Sequence, residues 1–138
     1  MRMNWQYCAL MKRAIKMATV YIPDRKHIVW LDFEPVKGKE IGKYRPALIL
    51  SSKTYNKASG LVICCPISTS IRGAQTEVPL PLTVLEQPSV IAANLIQTLS
   101  WQERKIKYLA ETDTQTLIEV LYRIIPLIGG EQLFAPLT

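Results

Sequence analysis

The sequence predicts a mainly β fold, a five- or six-stranded, antiparallel and strongly bent sheet closed by one C-terminal helix. Two observations predict it. Short apolar runs recur along the chain, separated by Gly, Pro, Asn and Ser. One long stretch, Thr112 to Gly130, instead carries its apolar residues at helical spacing. With 138 residues, 49% of them hydrophobic, the chain is long enough to bury a core as one domain and too apolar for a disordered tail protein.

Residues 1–17 (MRMNWQYCALMKRAIKM) read as an extension of a domain that runs from 18 to 138. The longest apolar run there, Cys8 to Met11, is too short for a signal-peptide core or a membrane span. Two explanations stand: a start codon assigned too early, with Met11 or Met17 as the true start, or a basic amphipathic helix that touches membrane or nucleic acid. The first strand lies near 27–34, where nearly every residue is apolar, as in a strand covered on both faces. Pro35 has no N–H to give and stops it. Val36 to Tyr44 then forms a mobile basic loop with two glycines and three lysines. Pro46 disfavours helical geometry at Arg45 and opens a second strand near 46–52. Asn56 to Gly60 is the clearest turn, leading into a third strand near 61–67. Ile71 to Thr76 is a loop containing Arg72 and Gly73. A fourth strand near 76–82 carries Pro79 and Pro81, which places it on an edge, with Pro88 in the loop that follows. Strands near 90–97 and 105–109 complete the sheet. The helix begins at a capping box, Thr112-x-x-Gln115. Its apolar face is Leu117, Ile118, Leu121, Ile124, Ile125 and Ile128, and Pro126 with Gly129-Gly130 ends it.

The net charge is +6. Arg2, Lys12, Arg13 and Lys16 sit in the extension, which holds no acid; the other 13 basic and 11 acidic residues leave only +2. Between 37 and 57, however, Lys37, Lys39, Lys43, Arg45, Lys53 and Lys57 face Glu40 alone. Charge this local suits a focused anion site better than a uniformly basic surface. Three cysteines, two of them adjacent, give neither a disulfide framework nor a metal spacing, which fits the cytoplasm.

Several chemistries drop out. There is no glycine-rich phosphate loop, HExxH or CxxC. The single histidine, His27, cannot form a two-histidine acid/base pair within one chain, and at a strand start it reads as structural or solvent-facing. Asp32 and Glu34 share a strand face and offer either a metal site lacking an evident third ligand or an acidic strand end paired with lysines. At least one of Cys64 and Cys65 is core, because adjacent strand residues face opposite sides. Arg45 remains, held at the mouth of the sheet beside the basic loop. The strand expected to pair with it ends in Pro66-Ile67-Ser68-Thr69-Ser70. Hydroxyl donors beside a guanidinium can hold a phosphate and the charge it develops during reaction. Taken singly, each feature has a plain alternative: Arg45 as an ion pair with Glu40, the hydroxyls as a polar turn.

The order of these residues resembles a known family. Tyr21-x-Pro23-Asp24, Trp30-x-Asp32-Phe33-x-Pro35-x-Lys37-Gly38-x-Glu40, Arg45-Pro46-Ala47, Tyr55-Asn56, Cys65-Pro66-Ile67-Ser68-Thr69, Ser100-Trp101 and the helix ending in Ile128-Gly129 are similar to the MazF/PemK toxins of toxin–antitoxin systems, the mRNA interferases. The resemblance covers roughly residues 19–129. It implies an SH3-like small barrel of the CcdB/PemK type with a C-terminal helix, acting as a homodimer with RNA in grooves at the interface. It implies a sequence-specific endoribonuclease, independent of metal or other cofactor, that cleaves single-stranded RNA to a 2′,3′-cyclic phosphate and a 5′-hydroxyl. By resemblance Arg45, Ser68 and Glu40 are catalytic, and Lys37, Lys39, Lys43, Thr69, Arg72, Asn94 and Gln97 are the RNA contacts. A small acidic antitoxin is the implied partner, with the basic loop, Trp30 and Trp101 as its docking surface. The chain departs from the family pattern in places. Ile41 stands where the loop usually has glutamine, Gly42 comes one place early, and Ser68 replaces a threonine. Leu95 follows Asn94 where glutamine is usual, and Gln97 replaces a basic residue. Two alternatives follow: a non-enzymatic gyrase-binding toxin on the CcdB version of this fold, and a toxin whose activity has decayed.

Overall fold

The computed structural model describes residues 20–134; the N-terminal extension and its two explanations lie outside them. Seven strands are present: β1 His27–Asp32, β2 Tyr44–Ile49, β3 Leu61–Ser68, β4 Glu77–Pro79, β5 Val90–Ala92, β6 Gln97–Ser100 and β7 Lys107–Glu111. Three helices join them: α1 Lys53–Ser59, α2 Thr114–Leu127 and α3 Gly130–Leu133. Every strand pairing is antiparallel. The order is β4-β5-β3-β2-β1-β7, with β6 also on β3. As expected, β4 is an edge strand, where the missing donor of Pro79 does least harm.

Both faces of the sheet are covered. On one side Leu117, Val120 and Ile124 of α2 pack over Ile28, Leu48, Cys65, Ile67 and Ile91. On the other, Val29, Leu31, Phe33, Ala47, Ile49, Val62, Cys64 and Trp101 form a second core. The alternation of β1 therefore feeds both cores, and so do the adjacent cysteines, which are both buried. Burial raises both thiols, that of Cys65 to about 12.

β3 makes the bend. Leu61–Cys64 pair with β6, whereas Ile67 and Ser68 pair with β5. Between them lies Pro66, which has no N–H, so one side of the strand can change partner without leaving a donor unpaired. The stretch expected as one strand near 90–97 breaks for the same reason. Ala93–Leu95 form a single 3₁₀ turn between β5 and β6, and the Ala93 amide bonds back to Thr76 O at 3.0 Å.

Three local expectations need correction. The Asn56–Gly60 turn is the last part of α1 and its cap. Ser52 Oγ accepts the Tyr55 amide at 3.3 Å, and Gly60 closes the helix at φ 73°. Secondly, Thr112 is not the cap of α2. Asp113 is: its carboxylate accepts the amide and hydroxyl of Thr116, which holds it below the usual carboxylate range. Thr112 is buried, with its amide on Lys26 O. Pro126 lies inside the last turn of α2 rather than ending it, and Gly129 at φ 73° supplies the stop.

Buried Asn56 knits the second core together. Its side-chain amide donates to Pro23 O at 2.8 Å and Ser51 O at 3.2 Å, and its Oδ1 accepts Ser51 Oγ at 2.5 Å. Its backbone carbonyl accepts Trp101 Nε1 at 2.9 Å. Asn56→Ala strands several of these groups in a dry site. It should lower stability by about 3 kcal/mol and Tm by roughly 10 °C in thermal unfolding. A loss under about 0.5 kcal/mol, typical of surface changes, would show that water takes over these bonds.

Candidate active-site groove

Arg45 is the second residue of β2, opposite Leu31 of β1. Ala47 and Ile49, two and four residues on, face the second core, so Arg45 lies on that same side. Across the pair, Ala47 stands opposite Pro66. Val62 and Cys64 face the second core, which puts Ser68 on this side too. Arg45 and Ser68 each lie two residues beyond the last pair of this ladder, Ala47 with Pro66. The guanidinium and the hydroxyl thus share one end of one sheet face.

Arg45 does not pair with Glu40. Its Nε donates to Gly42 O at 2.6 Å, and no ion pair to it forms among the described residues. Partial burial lowers its pKa from the ordinary value, leaving it cationic.

The loop from Pro35 to Lys43 is closed at its base. The Phe33 amide donates to Lys43 O at 3.0 Å, and the Lys43 amide donates to Glu34 Oε1 at 2.9 Å. Arg104 donates to Asp32 O at 3.0 Å and Glu34 O at 2.9 Å. Among the described residues neither Asp32 nor Glu34 forms an ion pair with a lysine side chain. Asp32 Oδ1 takes the Glu34 amide at 3.0 Å and Glu34 takes that of Lys43, so both carboxylates organise the turn. Gly42 packs against this clasp. A Cβ there would overlap the Glu34 carboxylate and approach Val36 Cγ1 to 2.9 Å.

A groove of about 290 Å³ runs beside the loop. Lys39, Glu40 and Ile41 form one wall, and Ser68 and Ser70 lie at the end of β3. Arg72, Ala74, Thr76 and Glu77 also line it, together with Val90 and Ala92 of β5 and Asn94 and Leu95 of the 3₁₀ turn. Of the residues expected to bind or react, Lys39, Glu40, Ser68, Arg72 and Asn94 meet here. Arg45 joins them through the strand register rather than as a wall residue. Lys37, Lys43 and Thr69 are exposed but do not line the groove, and Gln97 turns its amide to Leu95 O at 3.3 Å. Glu77 had not been expected; the acid after the Gly73 turn is its only sequence signal.

Other expectations settle here. His27 is structural: its Nδ1 accepts Tyr21 OH at 2.7 Å and the Asp24 amide at 3.2 Å, and its ring packs edge-on against Tyr108. Trp30 is half-buried and stacks on Tyr44 with centroids 5.5 Å apart. Trp101 is only 4% exposed, so it offers no docking surface; its indole is committed to Asn56.

Residues 24–128 match the family model of the PemK-like, MazF-like toxins of type II toxin–antitoxin systems. The chain belongs to the MazF/PemK family. It is 35% identical over 88 residues to the endoribonuclease toxin MazF of Escherichia coli K12, covering 64% of this chain and 78% of that one. It is 33% identical over 90 residues to endoribonuclease MazF3 of Mycobacterium tuberculosis, covering 63% and 87%. Among solved structures it is similar to MazF of Deinococcus radiodurans, at 38% identity and a TM-score of 0.77, covering 80% of this chain and 99% of that one. The chain is thus a MazF-like endoribonuclease toxin, on a bent antiparallel sheet with a C-terminal helix like those MazF structures.

Gly42→Ala tests the clasp. It should displace Glu34 from the Lys43 amide and lower RNA cleavage roughly tenfold, about 1.4 kcal/mol in barrier, with the thermal unfolding profile nearly unchanged. Wild-type cleavage would show that the loop shape is irrelevant to the chemistry.

Proposed function

We propose that the protein cleaves single-stranded RNA, chiefly mRNA, at a short sequence and without metal. The observation that carries this is that strand alternation sets Arg45 and Ser68 on the same sheet face, with Glu40 and Ser68 lining one groove. The 2′-oxygen attacks the adjacent phosphorus as its proton leaves, the bond from phosphorus to the 5′-oxygen breaks, and that oxygen takes up a proton, giving a 2′,3′-cyclic phosphate and a 5′-hydroxyl. The nucleophile belongs to the substrate, so the protein has to move protons and hold charge. Glu40 takes the proton of the 2′-hydroxyl or orients that group. Arg45 and the Ser68 hydroxyl stabilise the dianionic phosphorane. Lys37, Lys39, Lys43, Thr69, Arg72, Asn94 and Gln97 hold the strand on either side. The matched relatives are named endoribonucleases, which favours this reading over gyrase binding.

Two partners belong to the proposal. The outer side of α2 exposes Ile118, Leu121, Tyr122 and Ile125, an apolar surface suited to a second copy of the chain. The Deinococcus radiodurans MazE–MazF complexes are similar structures, one at 38% identity and a TM-score of 0.70. Here an acidic antitoxin would lie along the basic loop and compete with RNA phosphate. Among the described residues no helix is long and apolar enough to cross a membrane. We place the protein in the cytoplasm, with its mRNA.

Long RNA incubated with the protein in EDTA should yield discrete fragments with cyclic phosphate ends, whereas smearing or intact RNA would defeat the reading. Arg45→Ala should slow cleavage roughly 10²-fold, about 2.7 kcal/mol; an unchanged rate removes Arg45 from the mechanism. Reversing Lys37, Lys39 and Lys43 to glutamate should weaken RNA and antitoxin binding together, measured by titration at one salt concentration. Antitoxin affinity that survived the loss of RNA binding would mean two separate surfaces.

A further inference from the structure

The loop between β3 and β4 is held by one side chain. Glu77 Oε1 accepts the amides of Gly73 at 2.7 Å, Ala74 at 3.1 Å and Arg72 at 3.2 Å, and Oε2 also accepts that of Arg72 at 3.2 Å. Three consecutive amides converge on one carboxylate, with Gly73 at φ 75° making the turn that lets them do so. Such a cluster of N–H groups is an anion nest, and here the anion is part of the chain. The tie runs further. The Glu77 amide returns to Ala74 O at 3.0 Å, and Glu77 pairs with Ala92 of β5. Thr76 O accepts the Ala93 amide, which fixes the turn bearing Asn94 and Leu95. At the other end of the loop the Ser70 amide donates to Ser68 Oγ at 3.0 Å.

We propose that Glu77 is the positioning residue of the RNA groove, fastening the 70–76 loop in the shape that receives the strand and decides which bases fit. The inference rests on the nuclease reading, and it adds a residue outside the Arg45, Ser68 and Glu40 set. Glu77 sits on the groove wall beside Arg72 and Thr76. An unmasked carboxylate there would repel RNA phosphate. Three amides offset its charge, and in return it holds their loop still. Without it, the amides face solvent and the rim carrying Ser70 and Arg72 loses its fixed shape, while Arg45 and Ser68 stay anchored in β2 and β3. Binding and sequence choice should therefore suffer, and chemistry should not.

The test measures kcat and KM on an RNA oligonucleotide with one cleavage site, and maps the 5′ ends of long-RNA fragments, below the melting temperature of each variant. Glu77→Ala should raise KM about tenfold, leave kcat within about threefold, and add cleavage sites absent from the wild type. Glu77→Gln should fall between, because its carbonyl still accepts amides, and it carries the test if the alanine variant does not fold. A purely structural Glu77 would lower the melting temperature and leave KM and the site profile unchanged; that result, or a fall in kcat at constant KM, overturns the inference. If the wild type cleaves no RNA, the nuclease reading fails. The comparison then passes to Kd for mixed-sequence single-stranded DNA: weaker binding by Glu77→Ala supports the inference, and equal or absent binding overturns it.

Discussion

Everything at the candidate site depends on the register that sets Ala47 against Pro66. A slip of one residue would turn each side chain of a strand to the opposite face. Arg45 would then point towards the α2 side, Ala47 and Ile49 would leave their core, and Ser68 would lose its neighbour. Burial on both faces prevents such a slip. Val62 and Cys64 fill one core while Cys65 and Ile67 fill the other, so any shift exchanges two sets of fitted side chains at once. The register is thus enforced by packing far larger in area than the site itself, and the polar residues at the strand ends are aimed by an apolar constraint.

Charge at the site is managed mostly by backbone groups. Asp32, Glu34 and Glu77 each accept main-chain amides, and Arg104 and Arg45 donate to main-chain carbonyls. Such bonds satisfy a charge while leaving it to act at short range. The basic loop therefore keeps its lysines for an outside partner, and the shape of that loop does not rest on surface ion pairs, which contribute little and weaken with salt.

Much of the sheet was legible in the sequence because apolar runs and turn residues report burial and chain reversal directly. The edge position of β4 followed from Pro79. The helix face followed only in part: Leu117 and Ile124 reach the core together with Val120, whereas Ile118, Leu121, Ile125 and Ile128 of the expected face are exposed. The errors fall where local pattern does not carry the cause. In α1 the single buried residue is the polar Asn56, so hydrophobic periodicity is silent and only its glycine cap shows. The cap of α2 passed to Asp113 because Thr112 was needed in the sheet connection. The break at Ala93 depends on what β3 does about thirty residues earlier, and the burial of Trp101 depends on a carbonyl in α1. Within the site, the Arg45–Ser68 relation could be read from two strand ends. The grip of Glu77 on three amides could not, because nothing in a linear pattern says that an acid folds back on its own loop.

The change of partner at Pro66 has a consequence for how such a protein can diversify. β3 serves two small sheets, one holding the β1–β2–β6–β7 scaffold and one the β4–β5 ribbon. Arg45 belongs to the first, Ala92, Asn94 and the 70–76 loop hang from the second, and Ser68, paired with Val90, lies just past the junction on the second. Substitutions in the ribbon can reach Ser68 through its pairing with Val90, whereas Arg45 is held by the pairing of β1 with β2. A change at Ala92 or Asn94 would thus reshape the groove wall while Arg45 keeps its place. The proline that interrupts the ladder is what divides the part that holds the guanidinium from the part that shapes the groove wall.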